Sequence, residues 1–376
     1  MIDFPDSTRF AMFPMLKTET YLDTGTAGLS TSVHAAAASL FYSEGKWQGA
    51  LGRECWQDTA QRLKEKLAIW LSVSPSEIDF FSGTSDSLNR VAQAIQWSEG
   101  DEIVFASDEF PSVRVAWQTA ADRGAVLRSV DVPSEDTRED TIIAALTDRT
   151  RVLTVAHVHS IAGTCLNLER IGKACRDNGT LFVVDGIHGM GAVTPQLRYV
   201  DAYMAGTFKW MLAGFGISVC FVRQSLRDQM SPSFRGYLNE APSDALQFAH
   251  INYPGAYTLE ASFDLFNDTL GWDLVQGRMH DIVAHLDECL SVIGLTVVSP
   301  KRSRAGLASF EVPDAEALRL SLFEQNIHVA ARGKYLRATP YFYNSEEDVE
   351  KLADHVGRLL KRTAPSYTPE LVENQT

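Results

Sequence analysis

Two residues set the chemistry open to this chain. Lys209 follows an apolar run over 200–206 and precedes a Gly-rich turn at 214–216. Upstream, Leu181-Phe-Val-Val-Asp185 reads as a buried strand ending on a carboxylate, with Gly186-Ile-His188 after it. A lysine amine forms Schiff bases with aldehydes, and a buried carboxylate can keep a heterocyclic nitrogen protonated. Pyridoxal 5'-phosphate needs both, because its protonated ring withdraws electrons from a Cα carbanion. The lysine must be neutral near pH 7, so burial and nearby positive charge have to lower its pKa. Most lysines are exposed, but Phe208, Trp210 and Met211 predict burial here. A lone strand-end Asp more often caps a turn; its pairing with Lys209 favours the cofactor role.

Positioning these groups takes a sheet. Strand-like runs at 78–81, 102–106, 125–130, 152–156, 181–185 and 217–222 alternate with helical spacing at 88–95, 113–123, 141–146 and 168–178. Such alternation predicts an α/β fold with a mostly parallel sheet between helices, which binds ligands beyond the carboxyl ends of its strands. Thr84, Phe110, His157, Asp185 and Lys209 all follow such runs. Helical spacing covers 31–73 and 257–292. Strands are expected at 295–298, 308–312, 327–330 and 335–338, with helices at 314–325 and 345–361, which together make a smaller α+β unit. The expected division is an N-terminal arm (1–17), a large domain (18–255), a linking helix with the small C-terminal domain (256–362), and a mobile polar tail (363–376).

Composition narrows the function. The 376 residues are 45% hydrophobic and 22% charged, enough for a large core, and the formal net charge is -14. That charge argues against nucleic acid or an anionic membrane as partner. Cys55, Cys165, Cys175, Cys220 and Cys289 are scattered, which argues against a disulfide framework or zinc site and fits a reducing cytoplasm. A signal-peptide pattern, a membrane-length apolar run, metal-ligand spacing, a P-loop and Gly-x-Gly-x-x-Gly are all missing from the sequence.

The segments Gly83-Thr-Ser-Asp-Ser-Leu-Asn89, Asp108-Glu-Phe-Pro-Ser112, His157-Val-His-Ser-Ile-Ala-Gly163, Val184-Asp-Gly-Ile-His188 and Thr207-Phe-Lys209-Trp occur in this order. Together they resemble the class V aminotransferase family of fold-type I pyridoxal-phosphate enzymes, whose members include cysteine desulfurases, isopenicillin N epimerases and kynureninases. The resemblance covers about 20–362. It implies a seven-stranded large domain, and it implies a homodimer with the active site at the subunit interface.

Residue by residue, the resemblance makes Lys209 the Schiff-base lysine and Asp185 the partner of the ring nitrogen. His188 falls near the cofactor's phenolic oxygen, and so does Ser160, in a place where many relatives carry a longer Asn. Phe110 would stack on the ring. Gly83, Thr84 and Ser85 open a helix after a strand, where backbone N–H groups and the helix dipole favour a phosphate; Thr207 would add a hydroxyl. Phe208 stands where the family has a phosphate-binding His. Asn252 would reach the phosphate of the partner subunit. Arg337 would clamp the substrate α-carboxylate through its planar fork, with Arg332 a second candidate. His157 and His159 either line the pocket or pack beneath it.

The reaction expected is an amino-acid conversion that starts with loss of the Cα proton, first of all transamination. Carbon–sulfur β-elimination and epimerisation are the alternatives, and a cofactor-binding sensor without turnover is a third class. Desulfurases carry a nucleophilic Cys shortly before the carboxylate arginine. Here 330–337 reads Ala-Ala-Arg-Gly-Lys-Tyr-Leu-Arg, so a Cys-dependent desulfurase is not expected.

Overall fold

The computed structural model describes residues 4–232, 234–240 and 246–363. The expected mobile tail lies, from 364 onward, outside the described residues.

The strands are β1 (Thr20–Tyr21), β2 (Ile78–Phe81), β3 (Glu102–Ala106), β4 (Val126–Val130), β5 (Thr150–Ala156), β6 (Leu181–Asp185), β7 (Ala202–Gly206), β8 (Ser218–Val222), β9 (Ala308–Glu311), β10 (Ile327–His328), β11 (Ala330–Arg332) and β12 (Tyr335–Ala338). Seven of them form one sheet in the order β2-β8-β7-β6-β5-β3-β4. Only β8 runs against its neighbours; the remaining pairs are parallel.

Alternation along each strand sends side chains into two separate cores. Val104, Leu153, Val155, Phe182, Val184, Tyr203 and Val219 face one core, shared with helices Arg53–Leu71, Leu168–Asn178 and Tyr253–Asp264. Ile103, Phe105, Val152, Val183, Met204 and Cys220 face the other, under helix Thr84–Ala94. A sheet covered on both faces explains the nearly unbroken apolar strand runs. It also leaves the carboxyl ends of the parallel strands as the place for polar chemistry.

The small unit is the antiparallel sheet β11-β12-β9. Its apolar core is shared with helices Trp272–Val292, Ala315–Phe323 and Glu346–Thr363. β1 pairs in parallel with β10, which ties the start of the chain to this unit. The first described residues form helix Asp6–Met12, and Phe4 and Phe13 lie buried against Phe342.

Several expected elements differ. The helical stretch at 31–73 is two helices, Ser32–Gln48 and Arg53–Leu71, parted by a tight turn that begins at Gly49. The stretch at 257–292 is interrupted at Gly271, which starts a new helix. Residues 295–298 form no strand; they follow the turn at Gly294 and make a single bridge, Val297 to Phe310. The expected helix at 113–123 is two short pieces, Pro111–Val115 and Gln118–Ala121.

Candidate active site

β6 and β7 are parallel neighbours, so Asp185 ends one strand beside the segment that carries Lys209. After β6 the chain turns sharply through 186–189. A Cβ at Gly186 would lie 2.0 Å from the Tyr203 ring, and one at Gly189 would lie 2.4 Å from His157. Only glycine allows this close approach. The turn folds His188 back towards Lys209: Lys209 Nζ and His188 Nε2 are 2.9 Å apart.

Asp185 is buried, and its Oδ1 accepts a hydrogen bond from the Ile187 amide at 2.9 Å. Among the described residues it has no salt-bridge partner. Burial pushes its pKa up to about 6, against the pull of the Ile187 amide and Lys209. Burial, with Arg337 adding repulsion, pulls Lys209 down to about 7, while Asp185 acts the other way. Burial, reinforced by Lys209, holds His188 well below the ordinary imidazole range. The amine is therefore neutral enough at pH 7 to act as nucleophile or base.

Arg337 is buried on β12. Its Nη1 donates to the Ser160 carbonyl at 2.9 Å and its Nη2 to Thr26 Oγ1 at 3.1 Å, with Asp23 Oδ1 3.6 Å from Nη2. Among the described residues its Nε has no partner. Burial, then Arg332, pulls its pKa down to about 10. Arg332 Nη2 reaches the same Thr26 hydroxyl at 3.4 Å, so two guanidinium groups meet at one small polar spot.

Gly83 precedes helix Thr84–Ala94, whose first amides have no acceptor within the helix. Thr84 Oγ1 accepts from the Gly206 amide at 2.8 Å, which locks the helix start to β7. Ser85 Oγ lies 2.7 Å from Ser112 Oγ. Phe110 precedes helix Pro111–Val115 and is 51% exposed, a large apolar face left uncovered. The Thr84 and Ser85 hydroxyls thus have partners inside the chain, and so do two further expected ligands. Thr207 Oγ1 donates to the Ile217 carbonyl. Asn252 caps helix Tyr253–Asp264, accepting from the Gly255 amide and donating to the Gly216 carbonyl.

Three features of the site escaped sequence reading. Trp210 Nε1 donates to His188 Nδ1 at 3.3 Å. Asp23 and Thr26 meet Arg337. Around Asp108 and Glu109, which precede Phe110 in the chain, lies a group of charges that also includes Glu135, Arg138 and His159. Arg138 bonds Glu135 twice at 2.9 Å and also pairs with Asp108. His159 sits 3.5 Å from Glu135. Asp108, Glu135 and His159 come within metal-ligand distance of one another, which their sequence spacing did not suggest. Arg138 already supplies the positive charge there. His157 hydrogen-bonds Tyr203 at 3.1 Å and is buried below the 186–189 turn, so it supports the loop.

The residues present suit pyridoxal phosphate by the chemistry of the donor set. A buried carboxylate lacks a cationic partner, a half-buried lysine is depressed toward neutrality, a helix start offers free amides, and an aromatic face lies open. Lys209 would hold the aldehyde carbon, Asp185 the ring nitrogen, and the 83–85 segment the phosphate.

Comparison with known proteins gives the family and the fold. Residues 20–352 match the family Aminotransferase class-V, and the chain belongs to that family. It is 29% identical over 335 residues to isopenicillin N epimerase of Amycolatopsis lactamdurans, covering 79% of this chain and 84% of that one. The fold matches apo cysteine desulfurase from Thermococcus onnurineus NA1 with a TM-score of 0.85 at 21% identity, covering 96% of this chain and 100% of the other. It also matches a C-DES variant with glycine covalently linked to its PLP cofactor, with a TM-score of 0.86 at 21% identity over 94% and 99% of the two chains.

Proposed function

We propose that this enzyme binds pyridoxal 5'-phosphate covalently at Lys209 and converts an amino acid by removing its Cα proton, with transamination as the outcome. The observation that carries this reading is the pair Asp185 and Lys209. Asp185 is buried at the end of β6 and Lys209 is half-buried in the segment after the neighbouring β7, and burial shifts each toward its neutral form.

Bound there, the cofactor supplies an aldehyde that exchanges amines and a ring that delocalises the charge left at Cα. The protein does the rest. Asp185 keeps a proton on the ring nitrogen, and its burial reserves it for that contact. Lys209 Nζ would take the Cα proton of the substrate and, for transamination, pass it to a carbon other than Cα, whereas return to Cα would give epimerisation. Arg337 turns its fork from Thr26 to the substrate carboxylate. Phe110 covers the ring and excludes water.

The hairpin of β11 and β12 that carries Arg337 contains no cysteine, which disfavours a Cys-dependent desulfurase route. Burial pushes the Cys165 and Cys175 thiols up to about 12, so neither is a ready nucleophile. A homodimer fits the surface: Leu40, Tyr42, Trp47 and Leu51 stand out from the helix Ser32–Gln48 region, and Trp47 is 77% exposed. Among the described residues, no helix is long and apolar enough to cross a membrane.

Epimerisation is the second reading, favoured by the likeness to isopenicillin N epimerase. Mass spectrometry of cofactor-loaded protein with an amino-acid panel, with and without pyruvate, separates the outcomes. New alanine supports transamination. Solvent deuterium at Cα without net product supports epimerisation. Pyruvate released from cysteine conjugates supports elimination. No change with any amino acid would refute the catalytic reading in favour of a sensor.

A further inference from the structure

We propose that Trp210 is a positioning residue that fixes the tautomer of His188, so that His188 faces the Lys209 nitrogen only as an Nε2–H donor. This rests on the reading of Lys209 as the cofactor lysine.

The inference follows from what an indole can do. Its Nε1–H donates and cannot accept. It lies 3.3 Å from His188 Nδ1, so Nδ1 must be the unprotonated nitrogen. The one proton of the neutral ring is then on Nε2, which lies 2.9 Å from Lys209 Nζ. That bond needs a lone pair on Nζ, which the neutral amine has and the ammonium lacks. A protonated imidazole would set Nδ1–H against the indole N–H, donor against donor.

The indole cannot readily turn away. Trp210 and His188 are both buried. A Cβ at Gly306 would lie 2.6 Å from the indole, and one at Gly191 would lie 2.8 Å from the Trp210 carbonyl carbon. The Tyr341 hydroxyl donates to the Trp210 carbonyl at 2.9 Å, and its ring meets the indole edge-on at 5.1 Å. Backbone and ring are thus held together, and the N–H direction is set by packing. Within this site His188 does not serve as a base, and proton transfer falls to Lys209.

The test is a pH titration of the visible absorption band of cofactor-loaded protein in four forms: wild type, Trp210→Phe, His188→Gln and the double variant. A donor facing the nitrogen favours its unprotonated form. Trp210→Phe frees Nδ1 to carry the proton and should raise the titration midpoint by about half to one unit, the scale of one hydrogen bond. A glutamine amide is a donor without tautomers, so the same Trp210→Phe change in the His188→Gln background should leave the midpoint within about 0.2 units. An equal shift in both backgrounds, or none in wild type, would overturn the proposal. If Trp210→Phe does not fold, Gly306→Ala, which displaces the indole, is put through the same pair of backgrounds with the same expectation. Absence of a visible band in wild type would instead sink the cofactor reading.

Discussion

Two groups of charged side chains, each with buried members, are built in opposite ways. Asp108, Glu135, Arg138 and His159 neutralise one another, while Glu109 beside them is the exception, pushed up to about 7 by burial. Burial alone would raise the Glu135 carboxyl, but His159 and Arg138 hold it well below its usual range. The same contacts with Glu135 and Asp108 raise the Arg138 guanidinium against its burial. Asp185, His188 and Lys209 do the reverse, since burial shifts each of them toward its neutral form. A buried charge with its partner in the chain is structure. One without it is kept for something that binds.

Breaking each group should therefore give different kinds of damage. Lys209→Ala should lower turnover by roughly 10⁴–10⁶-fold and remove covalent cofactor attachment, with little loss of fold, as measured by steady-state kinetics and absorbance. Arg138→Met should destabilise the protein by about 3–5 kcal/mol in a denaturant titration, because two acids lose their counter-ion. Its folded fraction should still take up cofactor. A loss of binding without a loss of stability would erase the contrast between the groups. Asp185→Asn should lower kcat by roughly 10²–10³-fold, since an amide cannot balance a protonated ring. Arg337→Lys should raise KM by roughly 10–100-fold with a smaller change in kcat, the signature of lost carboxylate binding.

The smallest effect is on stability against pH. In cofactor-free protein the Lys209 pKa is depressed from its ordinary 10.5 to about 7. Folding must then bury a charged amine at and below pH 7, and that cost fades as pH rises from about 7 towards 10.5. Lys209→Met should accordingly melt above wild type at pH 7, and the gap should narrow by pH 10. A gap independent of pH would mean that the amine is solvated.

How much of this was legible in sequence depended on distance along the chain. β6 and Asp185 were readable because a strand buried on both faces is apolar throughout and its polar end stands out. Lys209 follows a strand of the same kind. The Asp108–Glu135–Arg138–His159 group was not readable, because the Glu135–Arg138 segment meets Asp108 and His159 from two other connections that only the sheet order brings together. Nor was the link between Trp210 and His188, since an aromatic beside a lysine reads simply as core. Asn252 and Thr207 were chosen for their type and place, but local capping and turn bonds engage both. The break at Gly271 was missed because apolar spacing continues across it.

The most direct measurement is borohydride reduction of the cofactor-loaded protein, followed by peptide mapping. The account predicts one reduced pyridoxyl label, on Lys209, and none in Lys209→Ala. A label on another lysine, or a wild-type protein that binds the cofactor without any reducible bond, would contradict it.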